Sequence, residues 1–181
     1  MEHWTWIVGA VVVAIIAIGL FNSLTGKKNQ VEFAFASVDV QLKKRFDLIP
    51  NLVASCEKYM GYEEKVLKDL TETRTKAITC SNDEKIALDG KISSQLRSVF
   101  AHAENYPDLK AVETFTLLQM SLNEVEEQLS ASRRAFNAAV TEYNNAVQMF
   151  PSSIAAKLMG YQTRAWFEAA PVERDVVKVW G

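Results

Sequence analysis

Phe115, Leu118, Leu122, Val125, Leu129, Ser132, Phe136, Ala139, Tyr143, Ala146 and Phe150 follow one another at alternating spacings of three and four residues. All of these positions except Ser132 are apolar or aromatic. That is the 3.5-residue period of helices packed along a shared seam. Asp108 supplies a first-turn acid after Pro107, and Pro151 stops the helix after Phe150. At 1.5 Å per residue the predicted helix is a rod of about 65 Å. An apolar stripe of that length must be covered by other helices.

The upstream sequence provides them. Val31, Phe35, Val38, Leu42, Phe46 and Ile49 form one stripe, and Cys56, Tyr59, Glu63, Val66, Leu70, Thr73 and Ala77 continue it with polar slips. Gly61, after KYM, stands where a C′ glycine ends a helix. SNDE, Ser81 to Glu84, has the form of a capping box and starts another helix, with Ile86, Ile92, Leu96, Val99 and Ala103 facing inward. Asn105–Tyr106–Pro107 then turns the chain into the rod. With only 7 glycines and 4 prolines, the chain lacks the punctuation of a β-sandwich. The predicted fold is all-α: an N-terminal transmembrane helix followed by an elongated antiparallel bundle of about four long helices.

The transmembrane assignment rests on Trp4 to Leu24, which carries no charge. Between Glu2 and Lys27 lie 24 positions free of Asp, Glu, Lys and Arg, against the ~20 that cross a bilayer as a helix. Trp4 and Trp6 sit where an interfacial aromatic belt would place them. A cleaved signal is the rival reading, but the amino terminus holds Glu2 and no Lys or Arg, and Gly19–Leu20–Phe21–Asn22 is a poor cleavage site. Lys27 and Lys28, with Lys43, Lys44 and Arg45 beyond, place the amino terminus outside and the body in the cytoplasm by the positive-inside rule; a periplasmic body is the alternative. The pairs Ala10/Ala14 and Gly19/Ser23 let such anchors pack together.

Pro50 interrupts VDVQLKKRFDLIPNLVASCEKY. Its ring removes one hydrogen bond and crowds the carbonyl of Phe46. Leu52, Val53 and Cys56 resume the inward face at once, so the expectation is one helix kinked at Pro50 and continuous with the anchor, a clean break being the alternative. The domain reading is 1–26 anchor, 27–150 bundle, and 151–181 a short helix with an aromatic tail. Trp166, Phe167 and Trp180 dock that tail on the bundle or on a neighbouring subunit. Val177 and Val179 alternate too briefly for a strand. Asn137 and Asn144, seven apart, either pair across the bundle to fix its register or lie on its solvated shoulder.

Chemistry is sparse. His3 and His102 are the only histidines, and Val99 stands where a Glu-x-x-His motif before His102 would need glutamate. His102 reads as a helix C-terminal histidine, and Glu124, Glu126 and Glu127 as a solvated face. The glycines are scattered singly, so no phosphate loop exists. Cys56 and Cys80 form no CxxC and read as small apolar residues, with a disulfide between them left open. The net charge of −2 argues against nucleic acid. No catalytic, cofactor-binding or metal residues are expected, and no cofactor.

VDVQLKKRFDLIPNLV, followed by EKYMGYEEKVLKDLTETRTKA, resembles the signature of the LemA family of bacterial membrane proteins. NYPDLKAVETFTLLQMSLNEVEEQLSASRRAFNAAVTEYNNAVQMFPSSIAA is similar to that family's second signature. The resemblance implies a short membrane anchor carrying long helices, in the bacterial inner membrane, and it implies no reaction. The family also looks like the source of a magnetosome membrane protein, which points to membrane organisation. Phe46 and Tyr62 stand where many members carry histidine, which weakens any metal proposal, and the short connection from Ala77 to Asp89 suggests less extensive pairing of the second and third helices. The expected function is a non-enzymatic scaffold that self-associates in the membrane, with the lipid bilayer, other copies of itself and another membrane or envelope protein as partners. The alternative is a sensory adaptor that binds a peptide or partner protein through its bundle.

Overall fold

The computed structural model describes residues 2–61 and 63–167. The expectations for Tyr62, Val177, Val179 and Trp180 lie outside them. Within the described residues the protein is all-α, with six helices and no strand: α1 Glu2–Glu57, α2 Glu64–Thr79, α3 Asn82–Ala103, α4 Pro107–Lys110, α5 Glu113–Gln148 and α6 Ser152–Leu158. They divide into two compact units, one built from 1–37 and 132–166, the other from 38–131 with Phe167.

In the second unit the later part of α1, α2, α3 and the first half of α5 run up, down, up and down. Lys85 on α3 holds Asp39 at 2.6 Å. His102 at the end of α3 meets Glu63 before α2 at 3.7 Å, so α2 pairs with α3 along its whole length. The shorter pairing expected from the tight connection is limited only by the length of α2. Phe100 stacks edge-to-face on Phe115 where α3 gives way to α5, the centroids 6.2 Å apart. Val38, Leu42, Phe46, Ile49, Leu52, Leu70, Ile92, Leu96, Val99, Leu122 and Leu129 are buried. Each large side chain among them contributes roughly 1.5–3 kcal/mol by leaving water. The capping box forms as predicted: Ser81 Oγ accepts from the Glu84 amide at 3.4 Å, and Glu84 accepts from the Ser81 amide at 2.9 Å.

α1 passes through Pro50 without a break. The Phe46 carbonyl, left without its partner amide, accepts a hydrogen bond from Arg74 Nε of α2 at 3.1 Å. A side chain from the neighbouring helix thus replaces the donor that proline lacks. The helix ends at Glu57, earlier than Gly61, because the amides of Tyr59 and Met60 fold back on the Cys56 carbonyl at 3.0 and 2.8 Å. Gly61 is not left-handed; among the described residues a positive φ occurs at Gly160.

In the first unit, α1 and the second half of α5 are antiparallel. Lys27 pairs with Glu142 at 3.1 Å, and Phe35 meets Phe136 edge-to-face at 5.7 Å. The seam on α5 is buried at Phe115, Leu118, Leu122, Val125, Leu129, Phe136, Ala139 and Tyr143, but Val140 and Asn144 are buried as well. A straight helix drifts against a 3.5-residue repeat, so the inward face moves on by one position near the end. The rod also differs from expectation at its ends. The separate turn α4 precedes it, and Phe150 lies beyond its last residue and is 80% exposed.

Candidate functional site

Three places collect polar or unusual chemistry. In the second unit, Arg45 continues the spacing Val38, Leu42, Arg45, Ile49 and is only 3% exposed. Its guanidinium donates to Asp89 Oδ1 at 3.1 Å and to Ser93 Oγ at 2.8 Å, and pairs with Glu126 Oε2 at 2.9 Å. Asp89 and Ser93 are buried on α3, where Asp89 falls on the stripe that continues through Ile92, Leu96, Val99 and Ala103. One expectation is corrected here and another refined. Arg45 does not belong to a charged flank, because the apolar spacing carries it into the core, and Glu126, whose side chain stays 39% exposed, leans from the solvated face to pair with that buried cation. Glu124 and Glu127 are exposed. A cavity of about 240 Å³ adjoins the cluster, lined in part by Arg45, Ser93, Phe100, Leu122 and Glu126. Ser93 Oγ accepts from Arg45 and has no histidine beside it, so the cluster ties α1, α3 and α5 into one register rather than activating a nucleophile.

The second place is a groove of about 570 Å³ between the end of α1 and α2, lined in part by Val53, Glu57, Met60, Glu64, Leu67 and Lys68. Apolar floor residues with carboxylates at the rim suit an apolar segment carrying a basic residue. Cys56 lies buried in this part of α1, and burial, with Glu57 adding, pushes its thiol up to about 11. Cys56 and Cys80 are both free thiols, so the disulfide left open from sequence is not formed. His102 Nδ1 donates to the Ser98 carbonyl at 2.7 Å in the last turn of α3, the helix-terminal role expected of it. Among the described residues no group of three or more His, Cys, Asp and Glu is placed to hold a metal.

The third place is the first unit. Its α1 segment presents Trp4, Trp6, Ile7, Val11, Val13, Ile15 and Ile18 outward, an apolar surface of the kind that marks a membrane or protein interaction site. α1 is long and apolar enough to cross a membrane. Lys28 Nζ lies 5.0 Å from the Tyr161 ring centroid. Asn144 is buried, and its amide both accepts from the Arg164 backbone amide at 2.8 Å and donates to the Arg164 carbonyl at 2.9 Å. Asn144 therefore neither pairs across the bundle with another amide nor lies in solvent; it fastens the tail. Arg164 reaches Glu32 at 2.7 Å, and Trp166 donates from Nε1 to Thr141 Oγ1 at 3.1 Å. The tail is thus fastened as far as Trp166, and Phe167 after it is buried. Burial pushes the Tyr143 hydroxyl up from its ordinary value, against the pull of Arg164.

Residues 34–180 match the LemA family. The chain is 24% identical to Protein LemA of Metamycoplasma hominis, over 88% of this chain and 78% of that protein. It is 22% identical to Magnetosome protein MamQ 2 of Paramagnetospirillum magneticum, over 88% of this chain and 70% of that protein. It is 18% identical to Magnetosome protein MamQ of Magnetospirillum gryphiswaldense, over 83% of this chain and 65% of that protein. Together with the apolar surface of α1, these relatives make this a membrane-associated helical protein.

Proposed function

The chain belongs to the LemA family, and from that premise we propose that it is a non-enzymatic, single-pass scaffold that self-associates in the bacterial inner membrane. Residues 1–26 act as anchor, 27–150 as bundle, and 151–181 as short helix and tail. The observation that carries this reading is the bare apolar surface of α1 and the small residues set within it. A Cβ added at Gly9 or Gly19 would meet nothing within 4 Å, and Ala10 and Ala14 are exposed beside them. Such a surface lets a second α1 approach closely in lipid. The magnetosome proteins among the relatives support a role in organising membrane. Lys27 and Lys28 put the amino terminus outside and the body in the cytoplasm; without the buried Arg45 that bias is smaller than the sequence alone implied.

The native mass of the complex in lipid nanodiscs tests the proposal. A mass of two or more whole chains, falling toward one chain for Ala10→Leu with Ala14→Leu, is the expected result; a strict monomer overturns it. The groove beside Met60 favours a second reading, an adaptor that receives a partner helix. A stoichiometric foreign protein retained through purification, and lost in Leu67→Glu, would decide for the adaptor.

A further inference from the structure

Only part of the apolar stretch of α1 is bare. His3 through Ile16 are all exposed, whereas Ala17, Leu20 and Phe21 are half-buried and Leu24 is buried. Fourteen bare residues span about 21 Å at 1.5 Å each, too little for a hydrocarbon layer of about 30 Å. A bilayer that α1 crosses therefore has to reach roughly six residues further, to about Asn22. Whatever covers α1 there enters the bilayer with it.

The register within the first unit identifies the cover. Glu142 is level with Lys27, and α5 runs antiparallel to α1. Gln148, six residues on, thus lies about 9 Å nearer the amino terminus of α1, level with Phe21. The chain then turns through α6 and returns at Tyr161 beside Lys28 and Arg164 beside Glu32. The α5–α6 tip therefore occupies the level that the bilayer must cover.

Its surface is made for lipid. From Tyr143 to Thr163 the one charged residue is Lys157. Met149, Phe150, Ile154 and Leu158 are 62%, 80%, 55% and 75% exposed, while Ala155 and Ala156 of the same short helix are buried. Water would impose the opposite arrangement, large apolar groups in and alanines out. Lys157, at the rim, reaches the headgroups along its own apolar stem.

We propose that the α5–α6 tip is a second membrane-embedded element, inserted beside α1 into the leaflet on the body's side, with the lipid acyl chains as its partner. The proposal rests on α1 crossing the bilayer, and the experiment separates the two. Full-length protein carrying Cys80→Ser, with Cys56 left buried, is given a nitrobenzoxadiazole label at Phe150→Cys, Leu158→Cys, Ile16→Cys or Lys91→Cys. Each is placed in phosphatidylcholine–phosphatidylglycerol nanodiscs and checked for helix content, with Met149→Cys replacing any tip variant that fails to fold. Quenching by acyl-chain doxyl lipid is compared with quenching by aqueous iodide. The expected result is Ile16, Phe150 and Leu158 positions quenched several-fold more by doxyl lipid, the tip most by labels near the headgroup, and Lys91 only by iodide. An embedded Ile16 with an iodide-accessible tip overturns this proposal alone, and a tip shielded from both quenchers gives the surface to another protein copy and overturns it as well. An iodide-accessible Ile16 removes the anchor and the proposal together.

Discussion

The two units of this protein invert one another. In the first, the largest side chains of α6 point outward and its alanines inward, and α1 displays tryptophan, valine and isoleucine to its surroundings. In the second, the outer faces of the helices are charged, and an arginine and an aspartate lie inside. Both follow one rule, that each group goes where its solvation costs least, if the first unit is solvated by lipid as proposed and the second by water. In water, leucine stripes bury themselves and a buried charge persists only when acceptors surround it. In lipid the aliphatic face gains nothing by hiding, so small residues are left to make the close helix contacts.

The comparison breaks most visibly at Arg45. Arg45→Met removes the guanidinium that Asp89 and Glu126 pair with, and should cost about 3–5 kcal/mol of unfolding free energy. Urea unfolding of the nanodisc-bound protein, followed by helix content, measures it. Adding Asp89→Leu and Glu126→Gln to Arg45→Met should restore most of the loss, because the hydrophobic replacement of a whole buried network is close to neutral. An Arg45→Met protein as stable as the parent would mean that water reaches the cluster, and the contrast between the two units would fail there.

Arg45 also marks how far the sequence could be read. The stripes at Val31 to Ile49 and Phe115 to Tyr143, the capping box at Ser81 and the passage of α1 through Pro50 were all legible, since spacing and capping are local properties. Arg45 was legible too, on the spacing Val38, Leu42, Arg45, Ile49, but its charge outweighed its position while no acceptor was known to face it. Asp89 and Glu126 are 44 and 81 residues away in sequence, and no local pattern announces such a pairing. Asn144 stands out by its spacing from Asn137, yet neither role that spacing suggests is the one it plays: its partner is the backbone of Arg164, which carries no sequence signature at all. The repeat runs up to Phe150, but the residue before a proline is held off the helical region, so α5 ends at Gln148 and Phe150 falls outside it.

A smaller effect sharpens the same contrast at Pro50. The Phe46 carbonyl is satisfied by Arg74 only because proline offers it no amide. Arg74→Leu should therefore cost about 1–3 kcal/mol by orphaning that acceptor. In a Pro50→Ala background the helix regains its own amide, and the cost of Arg74→Leu should fall by at least half. The double-mutant cycle reads the coupling directly. Additive losses would show that Arg74 acts through its packing and not through the carbonyl.

The smallest effect belongs to the outer edge of the second unit, where α3 begins in water. Hydrogen bonds from the Ser81 amide and hydroxyl hold the Glu84 carboxyl below its ordinary value of 4.5. A carboxyl depressed in the folded state contributes stability above its unfolded value, and that contribution is lost as the pH falls through the folded value. Ser81→Ala should cost about 1 kcal/mol at neutral pH through the lost cap. Glu84→Gln keeps an acceptor for the Ser81 amide, so it should cost less at neutral pH while removing this residue's share of the acid loss below about pH 4.5. Urea midpoints for the parent and both variants, taken at neutral and acid pH, check the sign. A parent whose acid limb is unchanged by Glu84→Gln would mean that the cap holds through Ser81 alone.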